Sequence, residues 1–144
     1  MKKYVKPIIV SVSIGAIIGI STGLLLASLV DVAKELHLSI VPKSVTAPVA
    51  MDIAQSLGGV PALAAVFVAV AGIGGSVLSS YVFILFKIEH PLARGIGLGS
   101  ASHAIGTAKA LEYGEEEGAI SSIAMTISAI FVSIIAPLLV FLLY

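Results

Sequence analysis

Cysteine and tryptophan are both absent from this sequence, and charged residues fill only 11% of its 144 positions. The missing thiols exclude a disulfide framework, thiolate catalysis and cysteine-type zinc sites. Eight Lys and Arg balance eight Asp and Glu, which leaves no basic stripe to follow a nucleic-acid backbone. Without Trp, an interfacial aromatic belt falls to Tyr4, Tyr81, Tyr113 and Tyr144. There is also no Ser-His-Asp order, no nucleotide-binding loop and no catalytic carboxylate pair, so the chain offers no machinery for an enzyme. No cofactor is expected. His37, His90 and His103 are too scattered to read as a metal site.

Apolar residues are abundant instead. They make up 58% of the chain, with a mean hydropathy of +1.14, and they fall in runs too long for the core helices of a soluble domain. The first run covers residues 7–30, the second 60–86 and the third 118–143. Each exceeds the roughly 20 residues that cross a bilayer, and the fold class is therefore an all-α membrane protein with about three spans. Lys2, Lys3 and Lys6 resemble the start of a signal peptide, but the run behind them is longer than a signal segment and lacks a cleavage site. With Lys87 and Arg94 after the second span, these lysines put the N-terminus in the cytoplasm.

Two polar segments separate the spans, DVAKELHLSIVPKSVTAPVAMDIAQSLGG at 31–59 and KIEHPLARGIGLGSASHAIGTAKALEYGEEE at 87–117. Each closes with a short helical stretch behind a serine: Ser44 before 45–57, and Ser102 before 103–113. A helix of that length reaches roughly 18 Å, half a bilayer, so both read as re-entrant half-helices. A shift of 58 positions lays SVTAPVAM over SHAIGTAK and the first span over the second. The single membrane domain, 1–144, then divides into unit 1 (about 6–59), unit 2 (about 60–117) and a final span (118–143). The units have opposite topology, an inverted repeat of the kind secondary transporters use.

A half-helix that ends inside a membrane leaves its first backbone N–H groups unpaired, and an anion is their natural occupant. The hydroxyls of Ser44, Thr46, Ser100, Ser102 and Thr107 add donors, although each also reads as a plain cap or packing residue. His103 stands at the second half-helix, where an imidazole can bind substrate or take a coupling proton. Lys43, Asp52, Arg94, Lys109 and Glu112 are candidates for charge or coupling roles. Of these, Lys43 and Arg94 read equally as interfacial anchors, and Lys109 as a partner of Glu112. Pro48, Gly99 and Gly106 are the expected backbone breaks, with Gly95 and Gly97 beside them, whereas Gly72, Gly74 and Gly75 read as helix-packing positions. Glu115, Glu116 and Glu117 read as a solvated boundary at the foot of the last span.

The segments KSVTAPVAMDIAQSLGG and ARGIGLGSASHAIGTAKALEYGEEEGAISSIAM closely resemble the signature regions of the LrgB/CidB family of bacterial membrane proteins. The resemblance runs from the first span to Pro137 and corresponds to the C-terminal part of a usual member, so the chain reads as a half-size member or a fragment. It implies a multi-pass protein of the bacterial inner (plasma) membrane that acts with an LrgA/CidA-type partner and forms homo-oligomers in lipid. Two functions follow. One is carriage of a small carboxylate such as pyruvate, glycolate or glycerate, which agrees with the anion site. The other is antiholin-like control of murein hydrolase activity and lysis, without carrier activity.

Overall fold

The structure, a computed structural model, describes residues 2–29 and 33–143. Met1, Val30, Asp31, Val32 and Tyr144 lie outside the described residues, and with them the end of the first apolar run, the start of the first polar segment and one member of the aromatic belt. Among the described residues there are six helices and no strand: α1 (Lys2–Ser28), α2 (Lys34–Ile40), α3 (Ala47–Leu57), α4 (Pro61–Leu85), α5 (Pro91–Tyr113) and α6 (Glu115–Leu143). Three stretches are long and apolar enough to cross a membrane, Tyr4–Ser28, Pro61–Leu85 and Glu115–Leu142. As helices they can bond their amides within the segment, as hydrocarbon demands, and their charges are confined to Lys6 and to Glu115, Glu116 and Glu117 near two of the ends. Large side chains such as Val70, Val77 and Ile84 of α4 point outward. Small ones, including Ala64, Gly72 and Ser76, are buried on its opposite face.

The first polar segment turns back on itself. His37 Nε2 donates to the Ala27 carbonyl near the end of α1 at 2.8 Å. The chain then descends until the Lys43 ammonium donates to the Gly19 carbonyl, eight residues and roughly 12 Å further along α1. From there α3 climbs back. Gly58, in the left-handed region at φ 86°, caps its end, and the Val60 N–H donates to Ser39 Oγ of α2 at 2.7 Å. Both ends of this hairpin thus lie at the Pro61 end of α4.

The second hairpin is α5 itself, broken at His103, whose φ of 43° and ψ of −129° are not helical. An unbroken helix would hold Arg94 and Tyr113 roughly 28 Å apart, yet the Arg94 guanidinium lies 5.1 Å from the Tyr113 ring. Tyr113 also meets Phe83 edge-on at 5.9 Å and shares a 2.8 Å hydrogen bond with Ser80. Both ends of this hairpin therefore lie at the Leu85 end of α4, opposite the first. Gly106 makes the fold-back possible, because a Cβ there would overlap the Leu98 carbonyl of the other limb and stand 2.6 Å from Ser102 Cβ.

Several expectations are corrected. The first half-helix starts at Ala47 with Thr46 as its cap residue, not at Ser44, since Pro48 needs no N–H in a first turn and fixes φ there. The Gly-rich stretch 91–102, whose glycines read as backbone breaks in the sequence, is a regular helix. Pro91 opens it and His90 Nδ1 caps it by accepting from the Leu92 N–H at 3.1 Å. Pro48, Gly99 and Gly106 are accordingly not breaks; among the described residues of α5, His103 alone is non-helical. Gly95 and Gly99 admit α6 instead, as a Cβ at either would meet the backbone of Glu117 or Ser121. Glu117 is buried at 7% exposure rather than solvated. Tyr113 turns inward and leaves the aromatic belt.

Candidate functional site

Between the two hairpins lies a cavity of about 290 Å³. Thr46, Ala47 and Pro48 line it from the start of α3, His103, Ala104 and Ile105 from the break in α5, and Val68 from α4. Val68 is seven residues from Pro61, roughly 10 Å along a helix of about 37 Å, so the cavity sits well inside the span. The helical limbs 47–57 and 104–113 leave it toward opposite ends of α4. Both present their N-terminal turns to it, and Thr46 makes no side-chain cap bond. Two positive helix ends thus face one space, each equivalent to about half a charge.

His103 is the most constrained residue here. It is 2% exposed, and its Nε2 lies 2.9 Å from the Val68 carbonyl. Its backbone occupies a region that glycine favours, at a cost of about 1–3 kcal/mol for another residue. At an ordinary helix position Ala is more stable than Gly by about 1 kcal/mol. At 103 the order should invert, with His103→Gly more stable than His103→Ala by about 1–2 kcal/mol. Unfolding of the two variants by SDS titration in detergent checks this, and a more stable alanine variant would contradict the positive φ.

The other expected residues divide among three places. Thr46, Pro48 and His103 meet at the cavity. Ser102 is buried beside them but faces α4, where a Cβ on Gly75 would overlap its hydroxyl. Thr107 lies one turn on. Its Oγ1 donates to the His103 carbonyl at 3.0 Å and pairs with Ser121 Oγ of α6 at 2.9 Å, which ties down the break.

Lys43, Ser44 and Ser100 lie instead against α1. The Lys43 ammonium rests over Gly23, Ser44 Oγ over Gly19, 3.3 Å from where a Cβ would stand, and Ser100 Oγ over Gly15, 4.0 Å from the equivalent point. The Ser100 hydroxyl also donates to the Ile96 carbonyl. Asp52 is exposed on α3. Arg94, Lys109 and Glu112 gather around Tyr113, where Lys109 and Glu112 pair at 2.5 Å and the Arg94 Nε donates to the Ile88 carbonyl at 2.8 Å.

Sequence reasoning missed the α1 glycines and the closeness of Gly72 to His103. The spacing Gly15, Gly19, Gly23 is a visible signal, since residues four apart share a helix face.

The architecture defines a class: a membrane protein whose two re-entrant hairpins, entering at opposite ends of one span, bring helix N-termini together at a mainly apolar recess that Thr46 and His103 also line. The profile of the LrgB-like family matches residues 1–142, and the chain belongs to that family. It is 46% identical to the uncharacterized protein YxaC of Bacillus subtilis over 97% of this chain and 61% of that protein. Identity is 40% to YwbG of the same organism, over 96% of this chain and 62% of the relative. The holin-like protein CidB of Staphylococcus epidermidis is 35% identical over 100% of this chain and 63% of its own length. The chain thus spans about three fifths of these relatives. No solved structure matches it.

Proposed function

We propose that the chain forms the substrate-binding core of a carrier for small carboxylate anions of the pyruvate, glycolate or glycerate kind. The observation that carries this reading is the convergence of two helix N-termini and His103 on one recess. Unpaired N–H groups and helix dipoles favour an anion there, and at ~30 Å³ per water the space holds roughly ten water-sized groups, room for a small carboxylate. An inverted repeat agrees with this geometry. The 58-residue shift carries Thr46, the cap residue of α3, onto Ala104, one residue past the break at His103.

In this reading the protein sits in the bacterial inner membrane with its N-terminus cytoplasmic. Because the relatives are longer, a second copy or an LrgA/CidA-type partner completes the pathway. The holin-like name of CidB favours a second reading, control of lysis through an oligomeric assembly without carrier activity.

Uptake of labelled pyruvate into proteoliposomes separates the two. The carrier gives saturable uptake that falls ten- to a hundredfold in His103→Ala, the loss expected for about 1.5–3 kcal/mol of hydrogen bonding to a charged group. Leak of larger solutes with no saturation, unaffected by the substitution, would instead support the lysis reading.

A further inference from the structure

The geometry points to Gly72 as a positioning residue that fixes His103 in a single tautomer and leaves its Nδ1 to meet the substrate, an inference that rests on the carrier reading above. A carbonyl oxygen can only accept a hydrogen bond. The 2.9 Å contact between His103 Nε2 and the Val68 carbonyl therefore assigns the proton of the neutral ring to Nε2. Nδ1 is then the ring's remaining polar atom, on a residue that lines the cavity. It accepts from the O–H of a protonated acid or from a substrate hydroxyl. Equally, it takes the acid's proton and, as Nδ1–H of the imidazolium, donates to the carboxylate that remains.

What allows this orientation is the absence of a side chain on α4. A Cβ at Gly72 would stand 2.6 Å from His103 Cε1, 2.8 Å from Nε2 and 2.9 Å from Ile105 Cδ1, closer than carbon atoms pack. Ile105 has a flexible end that can yield. The imidazole is held by its own strained backbone and by the bond to Val68, so the ring must leave its partner. Two residues further along α4, a Cβ at Gly74 would have nothing within 4 Å. Gly72→Ala and Gly74→Ala thus make the same chemical change on one helix, and only the first touches the histidine.

The test uses the full chain in detergent, with nitrogen-15 in its histidines and the His103 signals assigned by their loss in His103→Gln. Wild type and Gly74→Ala should both show a pyrrole-type Nε2 and a pyridine-type Nδ1 for the neutral ring. Gly72→Ala should lose that single tautomer, and its proteoliposome uptake should fall at least tenfold while Gly74→Ala retains wild-type uptake. A wild-type ring protonated at Nδ1, or a Gly72→Ala spectrum identical to wild type, would overturn the inference. The wild-type measurement stands even if Gly72→Ala fails to fold. The spectra do not depend on transport, so the expected tautomers without saturable uptake in any variant would uphold the positioning role and reject the carrier.

Discussion

Replacing Gly99 with valine should cost about 3 kcal/mol or more and leave most of the protein unfolded or aggregated after extraction. Overpacking a well-packed core typically costs 1–3 kcal/mol where side chains can adjust. At Gly99 the obstacle is main chain. A Cβ would overlap the Ser121 carbonyl oxygen and stand 2.9 Å from its carbonyl carbon and Cα, and those atoms cannot rotate away. Gly95 four residues earlier meets the Glu117 carbonyl in the same manner, at 2.8 Å. The spacing places both glycines on the face where the incoming limb of α5 lies against α6. Small residues let membrane helices approach closely, and dispersion and hydrogen bonding then hold them where the hydrophobic effect no longer can. Thermal melting in detergent with size-exclusion profiles gives the readout, and Gly99→Val melting like wild type would refute the close backbone contact.

The second large effect concerns Lys43 and runs in opposite directions for stability and transport. Its ammonium lies over the α1 face made by Gly19 and Gly23, and it donates to the Gly19 carbonyl. Among the described residues the one ion pair is Lys109 with Glu112, so Lys43 has no carboxylate partner there. Half-buried charge at this depth carries a desolvation cost that a carbonyl only partly offsets. Lys43→Met keeps the length of the side chain and removes the charge, and it should raise stability by about 1–3 kcal/mol. Lys43 stands three residues before Thr46, on the tip of a hairpin that lines the cavity. If its charge balances the bound carboxylate, uptake in the same variant should drop at least tenfold, or about 1.4 kcal/mol. Parallel unfolding and uptake measurements check both halves, and a destabilised variant with wild-type uptake would contradict the assignment.

Hydropathy made the three spans legible because hydrocarbon imposes a length and a composition on anything that crosses it. The two interruptions were legible for the complementary reason: polar residues and Ser, Pro and Gly signals are conspicuous against an apolar background. The pairing of Lys109 with Glu112 followed from their spacing on a helix. What the sequence concealed depends on neighbours distant in the chain. Residues 91–102 look like a glycine-rich coil by propensity, yet packing against α6 overrides a penalty of about 1 kcal/mol per glycine. The break falls on His103 rather than on Gly99 or Gly106, because the Val68 carbonyl, the space over Gly72 and the Thr107 bond jointly impose that backbone. Glu117 looked like its neighbours Glu115 and Glu116, and only the fold turns it inward. On α1 the glycines look like ordinary membrane-helix composition, and only the fold rests the polar tips of both hairpins on them.

The opposed directions of the two hairpins bear on how anything leaves the centre of this molecule. Along α4, the way out toward Pro61 is filled by α3, and the way toward Leu85 by the limb 104–113. In the carrier reading proposed above, a solute seated between Thr46 and His103 would meet α3 toward one end and the limb 104–113 toward the other, the same helices whose N-termini face it. Release along either direction would then require one of those helices to withdraw, and each withdrawal would also remove one of the two helix ends. Letting go and opening a door would be a single movement, and the hairpin that moves would decide which side of the membrane receives the cargo.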